Sequence, residues 1–478
     1  MITVSLTAQW LLWLVAGLAV GLIGFAGWAR SRIALVQAVC ALVGTGVVTA
    51  GLAWAQGQYA LFPAGFPATY YAWAAVPVFG LCLLVASVAP LLSRRIGQLV
   101  PGRRLPAQLR SIFARPEGAR RRAWLRATAG LLAIPIGLTA VAIKVNQDYD
   151  YYPTWASLFS KPADNHAGFV QLILAHRHAI AAEHQHHHSR ETNRPVLAGA
   201  TAQVSADGPI TTFGTSYHVP MPGTVSHFDA RPGWIWVPSS YLRNPTQSLP
   251  VVMLLAGSPG FTNDWIRAGH ADLTADTFAA QHNGVAPIIV MPDDNGTFTG
   301  DSECVNSSRG NVETYLTSDV PNFLHNELGI RITHNWAVAG LSEGGTCAAM
   351  LALRHPGLFR AFADYSGLTS PTLSDRVNAT LTTQQLFGGN RAAYDQHDPL
   401  WLLDHHPNRR LDSIWVVGSH DGAALRAQDR LTTLARAHGL PVWASTVQGG
   451  AHSFALWSQA FAMTLPLLVE DLSKSVAT

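Results

Sequence analysis

Two kinds of hydrophobic pattern follow one another along the chain, and the change between them divides it. In the amino-terminal third, apolar residues run on without a polar face. Four such runs cover Ala8–Ala29, Ile33–Ala55, Ala72–Leu92 and Trp124–Ile143. Each holds about 20 residues, which at about 1.5 Å per residue spans a hydrocarbon core of about 30 Å. Inside lipid, one segment satisfies its own backbone polar groups only as a helix. The runs therefore predict a region of four transmembrane helices over residues 1–145. Trp10, Trp28, Trp54, Tyr70, Tyr71, Trp73 and Trp124 stand near run ends, where amphipathic rings settle at headgroup level. Core helices of a soluble domain would not need four runs of this length.

From Gly223 onward, short apolar runs alternate with amphipathic stretches. Strands are expected at Thr224–Phe228, Trp234–Val237, Val251–Leu255, Pro287–Met291, Trp336–Ala339, Ala361–Tyr365, Ile414–Val417 and Val442–Val447. Helices are expected at Asp264–Gln281, Val312–Glu327, Gly344–Arg354, Ala423–His438 and Phe454–Leu472. That alternation predicts an α/β domain over 223–478, a mostly parallel sheet with helices on both faces. Sites in such sheets form at the carboxyl ends of the strands. Between the two patterns, residues 146–222 lack periodicity and read as a juxtamembrane linker. Six histidines lie between His176 and His188. Such tracts can bind metal ions. This one lacks the cysteine or carboxylate partners of a defined site, so no metal site is assigned and no cofactor is expected.

Charge adds an orientation. Residues 1–145 carry 13 of the 32 basic residues and a single acid, Glu117, for a net +12; the remainder is net −9. All of these basic residues except Arg126 and Lys144 sit in two loops. One holds Arg30 and Arg32; the other holds Arg94, Arg95, Arg103, Arg104, Arg110, Arg115, Arg120, Arg121 and Arg122. The Gln56–Tyr71 loop has no charge. Basic loops stay cytoplasmic, so both termini and the α/β domain are expected outside the cytoplasm, on a multi-pass protein of the plasma membrane. The arginine-rich loop is also suited to anionic lipids of the inner leaflet. A nucleic-acid partner is not expected, because the outer part is net negative.

The chemistry centres on Gly340-Leu341-Ser342-Glu343-Gly344, set between a strand-like NWAVAG and a helix-like run. This is the strand–turn–helix context of a nucleophile elbow. A serine nucleophile needs a base, and on such a sheet the chain order is Ser, acid, His. Asp421 follows the strand SIWVVGS, and His452 lies in the turn GGAHSF after the next strand. His452 is assigned as base and Asp421 as the group that orients it. The oxyanion donors are expected to be the backbone N–H groups of Glu343 and of Ser258 in AGSPG; Pro259 has no N–H to offer. In an oxidising compartment Cys304 and Cys347 are disulfide candidates, whereas Cys40 and Cys82 lie in the apolar runs and pack there.

LLAGSPGFTNDW, GLSEGGTCAAMLALRHPGLFRAFADYSG, LFGGNRAAYDQHDPLWLL, GSHDG and GGAHSFALW together resemble the esterase-D-like branch of the α/β-hydrolases. That branch includes enterochelin esterases, S-formylglutathione hydrolases and mycolyltransferases. The resemblance covers about residues 223–473. It implies the same triad, Ser342, His452 and Asp421, and the same oxyanion donors, Ser258 and Glu343. One departure is AGSPG where many relatives have HG, which leaves that loop's support open. The membrane region resembles multi-pass, membrane-anchored esterases of actinobacterial type. Phe387, Leu400, Trp401 and Trp457 suit either an apolar acyl pocket or ordinary core. Three functions follow: an esterase acting on a lipid or glycolipid ester of the cell envelope, an acyltransferase passing the acyl group to a sugar or lipid hydroxyl, and an inactive membrane scaffold. The complete triad argues against the scaffold.

Overall fold

The computed structural model describes residues 6–27, 32–59, 68–99, 117–160, 162, 165–191, 213–332, 336–373 and 379–474. They form two compact units, Met1–Phe159 and Ser160–Thr478.

Among the described residues, the first unit has four long helices: α1 (Gln9–Gly27), α2 (Arg32–Tyr59), α3 (Ala68–Leu99) and α4 (Glu117–Tyr149). Small residues let α3 and α4 approach closely, as in packed membrane helices. A Cβ added at Gly130 would sit 2.8 Å from the Gly80 carbonyl oxygen, and one at Gly137 would sit 2.9 Å from Pro77. Outward faces stay apolar; Leu42, Val43 and Val47 on α2 are all more than half exposed. Among the described residues, three helices are long and apolar enough to cross a membrane, with spans at Ala38–Ala55, Tyr70–Val88 and Ala123–Tyr149. The first expected crossing is represented by a shorter apolar helix, Gln9–Gly21. Of the arginine-rich loop, Arg103, Arg104, Arg110 and Arg115 lie outside the described residues, as does Arg30.

The second unit is organised by an eight-stranded sheet: β1 (Thr215–Val219), β2 (Gly233–Val237), β3 (Val251–Leu255), β4 (Ile288–Met291), β5 (Trp336–Leu341), β6 (Phe359–Tyr365), β7 (Asp412–Gly418) and β8 (Val442–Val447). Their spatial order is β1-β2-β4-β3-β5-β6-β7-β8. The β1–β2 and β2–β4 pairs are antiparallel, and all the others are parallel. This is an α/β-hydrolase sheet. Every residue of β2, β3, β4 and β5 is buried, because strands covered on both faces read as continuous apolar runs. That is why the central strands were visible in the sequence.

The edges differ from expectation. Strand β1 precedes residue 223, so the sheet begins earlier than the expected domain start. Only alternate residues of β1 are fully buried, which hides an edge strand in polar sequence. The expected strand Thr224–Phe228 is instead a turn. The Asp319 carboxylate captures it, accepting from the backbone N–H groups of Val225 (2.7 Å) and Ser226 (2.9 Å) and the hydroxyl of Thr224 (3.1 Å). The expected linker also contains a helix, α5 (His166–Glu191). It buries Phe169, Leu172 and His176, and the Phe169 ring stacks on Phe323. The histidine-rich run is helical because its apolar anchors lie at its start.

Two expected helices are interrupted. Asp264–Gln281 divides into Asp264–Arg267 and α6 (Ala271–Gln281), with His270 at φ 51° between them. The stretch after Val312 passes through a π-turn, Tyr315–Asp319, before Val320–Leu328. The remaining long helices are α7 (Glu343–Arg354), α8 (Gly422–Ala437) and α9 (Phe454–Lys474). Among the described residues between β6 and β7 are three short helices, Ala379–Phe387, Arg391–Asp395 and Pro399–His405.

Candidate active site

Strand β5 is central and buried, and α7 begins two residues after it ends. The chain must reverse direction at Ser342. It does so with φ 55° and ψ −120°, a conformation that a non-glycine residue holds at a cost of about 1–3 kcal/mol. Surrounding bonds impose it. Ser342 N–H donates to the Tyr365 carbonyl at 2.9 Å, and the Ser342 carbonyl accepts from Gly345 (3.0 Å) and Thr346 (3.3 Å). The flanking glycines are required by space. A Cβ at Gly340 would lie 2.0 Å from the Gly344 carbonyl oxygen, and one at Gly344 would lie 2.1 Å from that of Ala256.

Three side chains from distant positions meet here. His452 Nε2 lies 2.9 Å from Ser342 Oγ, and His452 Nδ1 lies 2.6 Å from Asp421 Oδ2. Asp421 cannot donate while ionised, so Nδ1 carries the proton and Nε2 is left to accept from the serine hydroxyl. Asp421 stands just before α8, past the carboxyl end of β7, and is buried. His452 follows β8 and is half-buried. Their turns are tied together: His420 N–H donates to the Gly450 carbonyl at 2.8 Å, and Ser419 N–H to that of Val447 at 3.0 Å. The Trp457 ring meets the His452 imidazole edge-on at 4.9 Å and is itself buried.

Two backbone N–H groups border the serine. Glu343 N–H opens α7 and has no acceptor within the helix. Ser258 lies in the loop after β3, and this loop runs against the nucleophile: a Cβ at Gly257 would sit 3.1 Å from Ser342 Cβ. Cys304 and Cys347 are joined in a disulfide, with Cα atoms 5.7 Å apart. Among the described residues, no group of three or more His, Cys, Asp or Glu side chains is placed to hold a metal.

Not every residue singled out from the sequence lies at this site. Trp401 lines a groove of about 650 Å³ with Leu353, Arg354 and Pro356. That is the far end of α7, whose 12 residues span about 18 Å. Phe387 packs on Tyr394 and His397, and His397 bonds to Glu313, which also holds Arg354. Both therefore belong to packing at the opposite end of α7 from the serine. Trp457 packs against the imidazole and is too buried to line a pocket.

Sequence reasoning also missed a group of acids. Asp294, Asp301 and Glu303 are buried beside the half-buried Glu343. Burial pushes Asp294 and Asp301 up to about 7. Burial, and then the neighbouring acids, raise Glu303 and Glu343 well above the usual carboxylate range. Asp293 forms an ion pair with Arg231 at 2.6 Å. PDDNGTFTGDSEC places four acids within 11 residues of a single loop, but that spacing alone does not say that they will be buried.

A family model for esterases matches residues 229–468. The chain belongs to the Esterase family. Membership makes its second unit a serine hydrolase of the esterase kind. Among curated relatives, the chain is 37% identical over 262 residues to an uncharacterised protein of Corynebacterium glutamicum, covering 52% of this chain and 61% of that one. It is 28% identical over 205 residues to the diacylglycerol acyltransferase/mycolyltransferase Ag85B of Mycobacterium avium, covering 38% and 57%. The chain thus spans less than two thirds of each of these relatives. An S-formylglutathione hydrolase structure from Agrobacterium tumefaciens superposes with a TM-score of 0.47 at 16% identity, covering 58% of this chain and 100% of that one.

Proposed function

We propose that this esterase is anchored in the plasma membrane and acts outside the cytoplasm. It hydrolyses acyl esters of a cell-envelope lipid or glycolipid through an acyl-enzyme on Ser342. The observation that carries this is the hydrogen-bonded relay, 2.9 Å from Ser342 to His452 and 2.6 Å from His452 to Asp421. The membrane part rests on the apolar helices and on the arginine bias of their loops. The fourth crossing is assigned to α1, whose Leu12 is buried with Ala140 and Ile143 of α4.

In this scheme Ser342 Oγ attacks the ester carbonyl while His452 Nε2 takes its proton. Asp421 holds the imidazole and stabilises it once it is protonated. The N–H groups of Ser258 and Glu343 receive the developing oxyanion. Collapse expels the alcohol, which takes the proton from His452. Water then attacks the acyl-enzyme by the same steps, with His452 as base, and the free acid leaves. A second reading replaces water with a sugar or lipid hydroxyl, giving acyl transfer. The similarity to a mycolyltransferase favours carrying it alongside the first.

The test is active-site labelling with a fluorophosphonate. Ser342→Ala is expected to abolish labelling and to lower kcat by about 10⁶, as for other triad serines. Undiminished labelling of that variant removes Ser342 from its role. Product analysis with a lipid ester, with and without sugar acceptors, separates the two chemistries: free acid alone in both conditions excludes transfer.

A further inference from the structure

The two proposed oxyanion donors belong to different elements. Ser258 follows β3, and Glu343 opens α7. Yet both side chains reach the same third body, the loop 293–304. The Ser258 hydroxyl donates to the Gly300 carbonyl. The Glu343 carboxylate accepts from Glu303 N–H at 2.9 Å through Oε1 and from Asn295 Nδ2 at 3.1 Å through Oε2.

The loop is rigid enough to transmit position. Ser302 Oγ donates to the Asp294 carbonyl at 2.5 Å and accepts from Cys304 N–H at 2.9 Å. Asn295 Oδ1 accepts from Ser302 N–H at 3.0 Å. Gly300 folds so tightly that a Cβ there would lie 2.0 Å from the Asn295 carbonyl oxygen. Glu303 and Cys304 are consecutive left-handed residues, at φ 49° and 53°. Such a pair persists only where its surroundings determine it. Here the surroundings are the Cys304–Cys347 disulfide and the Glu303 carboxylate, which accepts from Thr372 N–H at 2.8 Å. Glu343 and Cys347 lie four residues apart on one face of α7, so the loop grips that helix twice.

We propose that loop 293–304 is a bracket that sets the separation of the Ser258 and Glu343 amides, with the Ser258 hydroxyl, Asn295 and the Glu343 carboxylate as positioning groups. The proposal rests on the oxyanion roles given above. It also bears on the departure noted in AGSPG: in this chain the loop is held by the Ser258 hydroxyl on the Gly300 carbonyl. The physical need is strict, because donors stabilise an oxyanion only within about 2.7–3.1 Å. A displaced amide still binds substrate but loses contact with the transition state. The signature is a fall in kcat with KM unchanged.

Full-length protein in detergent is assayed with a p-nitrophenyl ester, and a trifluoromethyl ketone serves as tetrahedral analogue. Ser258→Ala keeps the backbone donor and removes only the brace. It is expected to lower kcat about tenfold, leave KM within about twofold, and weaken the ketone by the same factor as kcat; removal of a whole donor costs about 10²–10³. Ser258→Thr, which restores a hydroxyl, is expected to recover most of the loss. Glu343→Gln keeps an acceptor for Glu303 N–H but presents an amide to Asn295. It is expected to lower kcat several-fold, and it serves alone if Ser258→Ala does not fold. Because one loop joins both sites, the double variant should lose less than the product of the two single effects. Wild-type kcat and ketone affinity in Ser258→Ala, or in Glu343→Gln where that variant stands alone, overturns the bracket. Fully multiplicative effects overturn it as well. Ser342→Ala assayed alongside separates the two claims: if it stays active, the functional reading fails first.

Discussion

At the scale of single residues, the site divides into what a motif announces and what burial creates. Ser342, Asp421 and His452 were legible because each sits at a strand end in a fixed order, and Gly340 and Gly344 mark the turn. Asp294, Asp301 and Glu303 were not, because nothing in the spacing of acids says that a loop will fold over them. Their burial has a consequence for pH. A carboxyl whose folded pKa is raised holds its proton in the folded state after the unfolded chain has lost it. The slope of stability with pH is then negative between the two values. For Asp294 and Asp301 that window runs from about 3.8 to about 7. Stability supplied by these groups is fully present below the window and lost as pH rises through it. Hydrogen-exchange protection of residues 293–304, corrected for intrinsic rates, is therefore expected to decline between pH 5 and pH 8. Asp301→Asn should flatten that decline; a protection profile already flat in the wild type would contradict the assignment.

At the scale of elements, Glu313 does for the far end of α7 what the bracket does for the near end. Its buried carboxylate accepts from Arg354 Nε (2.7 Å) and His355 Nε2 (2.8 Å) at the end of α7, and from His397 Nε2 (3.0 Å) after the Arg391–Asp395 helix. Burial opposes its ionisation, but the bonds from His355, His397 and Arg354 outweigh it and hold the carboxyl well below its usual range. A depressed carboxyl stabilises the fold at pH values above its unfolded pKa, and that contribution fades as pH falls below about 4.3. Glu313→Ala leaves three donors facing a gap. It is expected to cost about 3–5 kcal/mol, read as faster proteolysis of the 391–405 segment, with wild-type KM in the surviving fraction. This hub was invisible in sequence for the reason the helices broke. Glu313 lies just before a π-turn, and periodicity across Val312–Glu327 shows only one continuous helix. The central strands carry no such ambiguity, since β3 and β5 admit nothing but apolar or small residues.

At the scale of the whole molecule, the argument passes from packing to charge. An esterase unit needs no membrane to form its relay, so in the proposed function the long apolar helices bear on where the enzyme works. The arginine bias supplies the direction: nine arginines fall between residues 94 and 122, and the Gln56–Tyr71 loop has none. On the proposed topology the basic loops stay cytoplasmic, and the crossing by α4, between the arginine-rich loop and the esterase unit, carries the chain to the other side. The side of the esterase unit therefore depends on α4, whose apolar span is Ala123–Tyr149, whereas α1 sets only the side of the amino terminus. The check is labelling of intact cells with a membrane-impermeant maleimide, in a background where Cys40 and Cys82 are replaced by alanine. Arg430→Cys, exposed on α8, is expected to label without permeabilisation, and Arg110→Cys only after it. The reverse pattern would put the esterase unit in the cytoplasm. Labelling of both positions from the same side would mean that α4, the one long helix between them, does not cross the bilayer. The chemistry at Ser342 would survive either result, but a substrate confined to the outer envelope would not.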